Sequence, residues 1–426
     1  MKTMNNTARF PGRYILAADI TLTAPLHITA IEKGRYSIDG DRPRLYRYDG
    51  GAGVGLQCAL TRSRRVMIDV AASAQESIED AGAENTAGPG VQGTSSADIP
   101  VIPSSTVGGK LRNLAASLIF ESLIKNGQTI STDAFNTLCS GTATTALAGD
   151  LAVPEVIRLA RQEPFLANFG GTSFALPAHS VVADAWPLIQ STRQYLMSPE
   201  LLPAEALPDL RWMSQMCSPV AIVRKDPVRD MRSKQLEEIV ALDDLIQYIE
   251  EKGEQAAAAK INKAKAKEAK SNGEVIAASK KTDIRTISAL EAVNTGMSFA
   301  LRVRVDATSP AQLGLMILAF QKLLREGQIG GKGARGFGQF VCPESRLIKI
   351  DPNTNRPFID AQSRLFHAQD MGYEVVGLTD DEDAIAPQAV IAAQSYLKNI
   401  NALLIEAFAA TNVAALRTFY ANPEKK

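Results

Sequence analysis

The stretch G-G-K-G-A-R-G-F-G, residues 330–338, decides how the rest of the chain is interpreted. Five of these nine residues are glycine, which permits positive φ and lets another backbone approach closely. Successive exposed N–H groups in such a loop form a concave anion site. Lys332, Arg335 and Phe337 add charge, a phosphate fork and a stacking face. The chemistry is that of a loop that holds a phosphate backbone; a flexible turn with incidental charge is the alternative.

The segments on either side of this Gly-rich loop indicate which phosphate ligand fits. A Walker loop follows a strand, opens a helix and ends in G-K-S or G-K-T. Here a helix-like run, 311–325, precedes the loop and a strand-like run, 337–342, follows it. Lys332 is followed by Gly333 rather than by a hydroxyl residue that could hold magnesium. We therefore expect a nucleic-acid strand as the ligand, without nucleotide hydrolysis and without a cofactor.

Composition favours a protein of two or three domains with a real core, since the chain has 426 residues and 45% hydrophobic content. No apolar run is long enough to span a bilayer. Residues 1–13 lack the apolar middle of a signal peptide, so we expect a cytoplasmic protein. The four cysteines are far apart and form no C-x-x-C pair, which argues against a zinc site and a disulfide framework.

The formal charge balances, with 46 basic and 46 acidic residues. A nucleic-acid-binding protein without net charge must segregate its charges into a basic track. Arginine and lysine indeed crowd the Gly-rich loop, residues 62–65 and residues 224–285, whereas 380–383 and much of the C-terminal part are acidic.

Residues 14–26 alternate apolar and polar side chains and predict the first strand, which Pro25 ends. His27 follows, and it is either a hydrogen-bonded histidine at a strand end or a nucleic-acid contact. Residues 37–48 mix turn residues with arginines and tyrosines, as an exposed loop that faces nucleic acid would. Residues 71–97 are small and polar, which predicts a flexible insertion.

A second informative stretch is I-P-V-I-P-S-S-T-V-G-G-K-L-R, residues 99–112. Two prolines hold an extended approach, a hydroxyl of residues 104–106 can cap, and an amphipathic helix runs on through Ile124. Lys110 and Arg112 lie one or two turns inside this helix, where the positive N-terminus would attract phosphate. A capped core helix with solvated basic residues is the alternative.

Residues 220–230, V-A-I-V-R-K-D-P-V-R-D, predict a strand that runs into a basic loop with Arg224 and Lys225. Residues 231–285 form a Lys-rich insertion, in which lysines with helical spacing share one face of an Ala-rich helix. These lysines are Lys260, Lys263, Lys267 and Lys270. The insertion is either a solvated spacer helix or a basic finger that lies along a target strand.

Residues 287–305 predict a strand–turn–strand unit, followed by a helix over 309–325, the Gly-rich loop and a closing strand. The order strand, helix, two strands, helix, strand predicts an α+β fold with a ferredoxin-like (RRM-like) β-α-β-β-α-β core and an antiparallel sheet. We assign residues 1–70, 98–230 and 286–345 to this palm core. Residues 346–426 form a C-terminal extension, whose amphipathic helix over 386–408 is expected to dock on the body or on a neighbouring subunit.

Four stretches then occur in order: 99–112, 220–230, A-L-E-A-V-N-T-G-M-S-F-A-L-R-V-R-V (289–305) and I-G-G-K-G-A-R-G-F-G (329–338), with L-H-I (26–28) ahead of them. In this order they resemble the RAMP superfamily of CRISPR-associated proteins, and within it the repeating backbone subunit, the family-seven Cas protein. The Gly-rich loop is typical of the superfamily. The proline–serine helix start is typical of type III and type IV backbone subunits.

The resemblance implies a non-enzymatic scaffold for a guide crRNA, without a metal, that polymerises along the spacer as a helical filament. A thumb-like hairpin near 224–290 would kink the strand, and the guide bases would stay free to pair with a DNA or RNA target. The implied RNA-binding residues are His27, Ser104, Ser105, Lys110, Arg112, Arg224, Lys225, Gly330, Gly331, Lys332, Gly333, Arg335 and Phe337. The implied partners are further copies of the chain, a RAMP cap subunit, a large subunit, a crRNA-processing nuclease and a helicase, with no membrane.

Two enzymatic alternatives stay open within the same superfamily. Type III backbone subunits cut target RNA with an aspartate after the first strand, and Asp39 and Asp41 lie in the corresponding stretch. In type III subunits a short connection joins this aspartate to the proline–serine helix, whereas here a much longer segment intervenes. The R-K-D of residues 224–226, together with the Lys-rich insertion, resembles the type IV subunit more closely. A guide-processing endonuclease with His27 as general base would need a cluster of histidine, tyrosine and lysine that this sequence does not show.

Overall fold

A computed structural model gives the fold over most of the chain. It describes residues 11–39, 42–47, 56–70, 93–141, 163–171, 177–202, 207–223, 287–331, 333–351, 353–354, 356–367, 385–400, 402 and 405. Over these ranges every helix is too short or too polar to cross a bilayer.

The central sheet is built on the pairing of β1 (Gly12–Leu22) with β11 (Ser298–Ala307). The two strands are antiparallel, from Gly12 opposite Ala307 to Thr21 opposite Ser298. On the outer side of β1 lie β12 (Phe340–Val341), β13 (Glu344–Ile350) and then β14 (Pro357–His367). On the outer side of β11 lie β7 (Ser180–Val182) and β8 (Trp186–Pro187).

One face of this sheet is covered by α1 (Ser104–Lys125) and α5 (Pro310–Glu326). Alternate residues of β1 and β11 are buried against them, as the period of two in a strand requires. Shorter helices lie around this pair: α2 (Thr132–Ser140), α3 (Pro164–Phe169) and α4 (Met213–Met216), with 3₁₀ turns at Gln190–Tyr195 and Pro199–Leu201.

A second sheet has the order β3-β2-β4-β10-β9. Its strands are β2 (Thr29–Asp39), β3 (Arg42–Tyr46), β4 (Leu56–Thr61), β9 (Cys217–Val223) and β10 (Ile287–Val293). The predicted strand–turn–strand unit of residues 287–305 is therefore divided, because β10 belongs to this sheet and β11 to the central one. Residues 37–39 and 42–46, predicted as part of a loop, form the paired ends of β2 and β3.

A two-stranded ribbon joins β5 (Ser63–Val70) to β6 (Gly93–Pro100) along their whole length. Residues 93–97 were predicted as the end of a flexible insertion, but they are paired in β6. The small and polar side chains are compatible with this strand because cross-strand backbone hydrogen bonds hold the ribbon, while Val66, Ala97 and Ile99 are buried in the main core.

The C-terminal part begins with two strands that the sequence did not predict, β13 and β14, which extend the central sheet. The predicted amphipathic helix corresponds to α6 (Ile385–Lys398), which packs across α5. The approach is close, since a Cβ on Gly314 would lie 1.9 Å from the carbonyl oxygen of Ala389. Ala402 N also donates to Oε1 of Gln128, at 2.7 Å, so this part of the chain docks on the body of the same molecule.

Candidate nucleic-acid interface

The Gly-rich loop is a closed hairpin between the end of α5 and β12. Its base is fixed by two backbone hydrogen bonds, from Phe340 N to Gly327 O at 2.8 Å and from Ile329 N to Gly338 O at 2.9 Å. Further along, a 3₁₀ turn over Gly333–Arg335 closes through Gly336 N and Gly333 O, 2.8 Å apart. The loop therefore has a defined backbone conformation.

Three of its glycines occupy conformations that other residues rarely adopt. Gly330, Gly336 and Gly338 have φ of 86°, 80° and 72°. At Gly338 a Cβ would also lie 1.8 Å from the carbonyl oxygen of Ile329, so space as well as φ requires glycine there. The expectation of positive φ in this loop is confirmed.

A line of backbone hydrogen bonds joins the loop to the other segments that the sequence singled out. Gly331 N donates to His27 O at 3.0 Å, and Gly338 N donates to Pro25 O at 2.8 Å. Arg62 N then donates to Ile28 O at 2.8 Å, and Val101 N donates to Arg62 O at 3.1 Å. The loop, the L-H-I segment, the start of the basic run and the approach to α1 are consequently held together by main-chain bonds, and Gly330 and Gly331 give this assembly an exposed surface at the loop.

Lys110 lies at the edge of this surface. Its Nζ is 2.6 Å from Oε2 of Glu326, the last residue of α5, and both side chains are about one-third exposed. Ser105 is exposed on the first turn of the same helix, and Gly330 and Gly331 are exposed in the loop. The structure therefore brings the first turns of α1 close to the base of the loop.

The first turn of α1 already holds a carboxylate. Ser104 N donates to Oδ1 of Asp184 at 2.7 Å, and Nη2 of Arg64 lies 3.0 Å from Oδ2. Burial raises the pKa of Asp184, but the hydrogen bonds from Ser104 and Arg64 outweigh it and leave that pKa below its usual range. The predicted hydroxyl cap is wrong: the N-cap residue is Pro103, which has no side-chain bond, and Asp184 neutralises this helix end instead.

Arg112 points into the protein rather than to a phosphate. Its guanidinium donates to the carbonyl oxygens of Thr137 and Leu138 at the end of α2, at 3.0 and 2.7 Å, and to those of Phe169 and Gly170 after α3, at 3.1 and 3.3 Å. Burial lowers its pKa to about 10. Because these donors bind the C-terminal ends of α2 and α3, Arg112 joins both helices to α1. It is therefore not part of the interface.

His27 is likewise turned inward, as the hydrogen-bonded histidine at a strand end that was one of its two interpretations. Its Nδ1 lies 2.7 Å from the carbonyl oxygen of Glu291, and its Nε2 lies 3.0 Å from Oγ1 of Thr29. The side chain is buried, so it contacts neither RNA nor a substrate as a general base. Its contribution is the carbonyl that Gly331 binds.

Phe337 was expected to offer a stacking face, and that expectation is wrong. The ring is buried with Leu290 and Ala292 of β10, next to Ala59 and Val220. The ring attaches the Gly-rich loop to the second sheet, where it is removed from any base.

Sequence reasoning missed a buried ion pair behind this attachment. Arg47 contacts Oε1 of Glu291, and Thr61 N donates to Oε2 at 2.9 Å. Burial raises the pKa of Glu291, while Arg47 lowers it. A single glutamate within the apolar run of β10 was the available signal, since a buried carboxylate requires a partner.

Several predicted residues lie outside the described part of the chain: Lys332, Arg224, Lys225, Asp41, Lys260, Lys263, Lys267 and Lys270. Asp39 is described only as the last backbone position of β2. Arg335 ends the 3₁₀ turn and is half-buried. Within the described ranges, no three His, Cys, Asp or Glu residues are grouped as a metal site would need.

A family model of the RAMP superfamily matches residues 20–341. The chain therefore belongs to the RAMP superfamily. Among solved structures, it is similar to a chain of one titled "Type IV-B CRISPR Complex", with 15% identity, coverage of 79% of this chain and 90% of that chain, and a TM-score of 0.36. At that TM-score the match bears on neither function nor detailed fold. No curated protein matches the chain.

Proposed function

We propose that this chain is the crRNA-binding backbone subunit of a type IV CRISPR effector complex, which oligomerises along the guide spacer and has no catalytic activity of its own. The observation that carries the proposal is the guide surface, which we define as the exposed Gly330 and Gly331 of a loop held in place by residues 25–28, together with Lys110 beside the base of that loop. Glycines allow a sugar–phosphate chain to approach closely, and a basic side chain next to them binds its phosphates without reading its bases.

The topology supports a ferredoxin-like palm in this role. In chain order the central elements are β1, α1, β7, β11, α5 and β12, and their order in the sheet is β12-β1-β11-β7 with both helices on one face. We infer that this is the β-α-β-β-α-β core, in which β7 rather than β10 is the second strand. The second sheet and the ribbon are then insertions, and residues 346–426 are an extension of the core.

In this proposal the exposed glycines of the loop let the guide backbone approach residues 330–338 closely, with Lys332 and Arg335 as the cationic partners of its phosphates. Lys110, Ser104 and Ser105 border the same strand at the start of α1. Guide bases remain available to a DNA or RNA target. Base pairing then provides the sequence specificity, while the protein fixes the conformation of the guide backbone. The effector subunits and the helicase named above are the proposed partners, and the Lys-rich insertion is the proposed contact to the target strand.

The experiment measures how guide retention depends on salt. We expect the purified protein to retain RNA of guide length, and we expect Lys332→Ala with Arg335→Ala to weaken retention. The slope of log K against log salt should fall by ~0.7 for each phosphate that the variant no longer neutralises. Lys322→Ala is the matched control, because this lysine is paired with Glu121 on the helical face of the protein.

An unchanged salt slope in the double variant would remove the loop from the interface. The scaffold-only proposal also fails if the protein cuts guide-complementary RNA and loses this activity in Asp39→Ala or Asp41→Ala. That result would instead support the type III-like nuclease.

A further inference from the structure

A stacked aromatic pair lies close to the proposed guide surface. The ring centroids of Trp186 and Tyr195 are 5.1 Å apart, with an interplanar angle of 25°. Tyr195 is 36% exposed. Trp186 covers one face of the tyrosine ring, so a base would have to stack on the other face. Every nucleobase has a π-face that can stack on such a ring.

The exposed ring is held in place before any ligand arrives. Trp186 belongs to β8 and is paired with Ala300 of the central sheet. Tyr195 ends the 3₁₀ turn Gln190–Tyr195, and its hydroxyl oxygen accepts from Met67 N of β5 at 3.2 Å. A ring fixed at both ends loses little conformational entropy when a ligand stacks on it.

Arginines lie on the two elements that hold Tyr195, β5 and the 3₁₀ turn. The side chains of Arg64 and Arg65 on β5 are 56% and 67% exposed, and they lie beside Asp184 and Asp98. Arg193 is exposed on the same 3₁₀ turn as Tyr195. One of the two carboxylates, Asp184, is already engaged by the first turn of α1. An aromatic ring on elements that also carry exposed guanidinium groups fits a nucleotide, whose base stacks and whose phosphate is anionic.

The pair is also continuous with the guide surface. Arg62, which bonds to Ile28 and Val101, is followed on β5 by Arg64 beside the start of α1. Met67 lies three residues further along that strand, which corresponds to about 10 Å. A strand of nucleic acid that leaves the Gly-rich loop along β5 therefore reaches Tyr195.

We propose that Tyr195, supported by Trp186, is a stacking subsite for one unpaired nucleobase of a single-stranded nucleic acid, with Arg64, Arg65 and Arg193 around its phosphates. The inference rests on the proposed function but concerns a separate subsite beside the loop. The arginines favour a nucleic acid over an apolar protein segment as the occupant.

The test measures binding of a fluorescein-labelled oligouridylate to the full-length protein by anisotropy, and maps photocrosslinks from a 5-iodouridine version of the probe. We expect a crosslink at Tyr195 and an affinity about 5- to 100-fold lower in Tyr195→Ala. The salt slope should stay unchanged in this variant, since stacking releases no counterions, whereas Arg64→Ala with Arg65→Ala should lower it.

Two control variants separate stacking from folding. Tyr195→Phe keeps the ring but loses the bond to Met67, so it should bind nearly as the parent protein does. Phe135→Ala removes a ring that is 46% exposed and stacked 4.9 Å from Phe120 on another surface, and should have no effect. Equal affinity of Tyr195→Ala and the parent protein, or equal loss in Tyr195→Phe or Phe135→Ala, overturns the proposal.

The same preparations distinguish this inference from the proposed function. If the parent protein retains no guide-length RNA, the backbone role fails, while the comparison of Tyr195→Ala with Tyr195→Phe still decides the stacking subsite. If guide RNA is retained and the crosslink maps only to the Gly-rich loop, the stacking subsite fails and the backbone role stands.

Discussion

Burial determines the protonation of Glu163, the N-cap residue of α3. Its Oε2 accepts from Leu166 N at 2.7 Å, and its Oε1 accepts from the hydroxyl of Tyr396 on α6. Burial raises the pKa of this carboxyl to about 7, although both hydrogen bonds lower it. The neutral form is therefore favoured in the folded protein at a pH where the unfolded chain is ionised.

The sign of the pH dependence follows from this raised pKa. The free energy of unfolding should fall as pH rises from about 4.5 to 7, because the folded protein keeps a proton that the unfolded chain releases. Glu163→Gln cannot ionise, so its stability relative to the parent protein should increase by up to about 3 kcal/mol between pH 4.5 and pH 8. Urea unfolding at several pH values measures this difference.

Tyr396→Phe is the control for this carboxyl. It keeps an ionisable group and removes a hydrogen bond that lowers its pKa, so the pH-dependent loss of stability should persist and move to higher pH. A constant difference between Glu163→Gln and the parent protein over this range would contradict the assignment.

At the residue scale, the sequence identified notable residues better than it predicted whether their side chains face solvent or the core. The glycines of residues 330–338 were predictable because positive φ has few alternatives. His27, Arg112 and Phe337 were recognised as notable, but whether each side chain faces solvent depends on distant partners. Glu291, the carbonyl groups that end α2 and α3, and the apolar side of β10 are those partners, and no local pattern names them.

At the scale of elements, two glycines of the Gly-rich loop provide a matched comparison. Gly338→Ala combines a positive φ with a Cβ placed 1.8 Å from Ile329 O, so the hairpin must open. We expect a loss on the order of 3 kcal/mol in stability and a strong loss of guide retention. Thermal unfolding and co-purified RNA are the two measurements.

Gly336→Ala has a similar φ, but nothing lies within 4 Å of its added Cβ. It should cost only about 1–2 kcal/mol and retain most of the RNA. Equal effects of the two substitutions would mean that the closed base of the hairpin contributes neither to stability nor to RNA retention.

Helices and strands were predicted correctly where the apolar residues follow one clear periodicity. α1 and α5 were predicted close to their true bounds, since helical periodicity is a local property, whereas β1 was predicted over residues 14–26 and spans Gly12–Leu22. β10 and β11 have the same apolar character, so the sequence could not place them in different sheets. β13 and β14 were missed because their large apolar residues occur in adjacent pairs, such as Leu347 with Ile348 and Leu365 with Phe366, which breaks the alternation typical of a strand.

At the scale of the whole molecule, α6 is joined to the core through Gly314. Replacing this glycine by alanine puts a Cβ 1.9 Å from Ala389 O, so α5 and α6 must separate. We expect a loss of about 1–3 kcal/mol in stability and faster hydrogen exchange in α6. Hydrogen-exchange mass spectrometry measures both helices in one experiment.

Gly109→Ala is the matched substitution inside an exposed turn of α1, with nothing within 4 Å of the added Cβ. The higher helix propensity of alanine should stabilise the protein by about 0.5–1 kcal/mol, and the rate of hydrogen exchange in α6 should not change. If Gly314→Ala stabilised the protein to the same degree, α6 would not approach α5 as closely as described.

The pairing of the first strand with β11 has a consequence for how the protein is made. Glu291 lies 244 positions after Arg47, and β1 closes on a partner from the last third of the chain. The ribosome therefore releases β1 long before its neighbour in the sheet is synthesised, and chaperones have an unpaired apolar strand to shield. The bridge between His27 and Gly331 likewise forms only after residue 331 has been synthesised, so the Gly-rich loop reaches its bonded position late in synthesis.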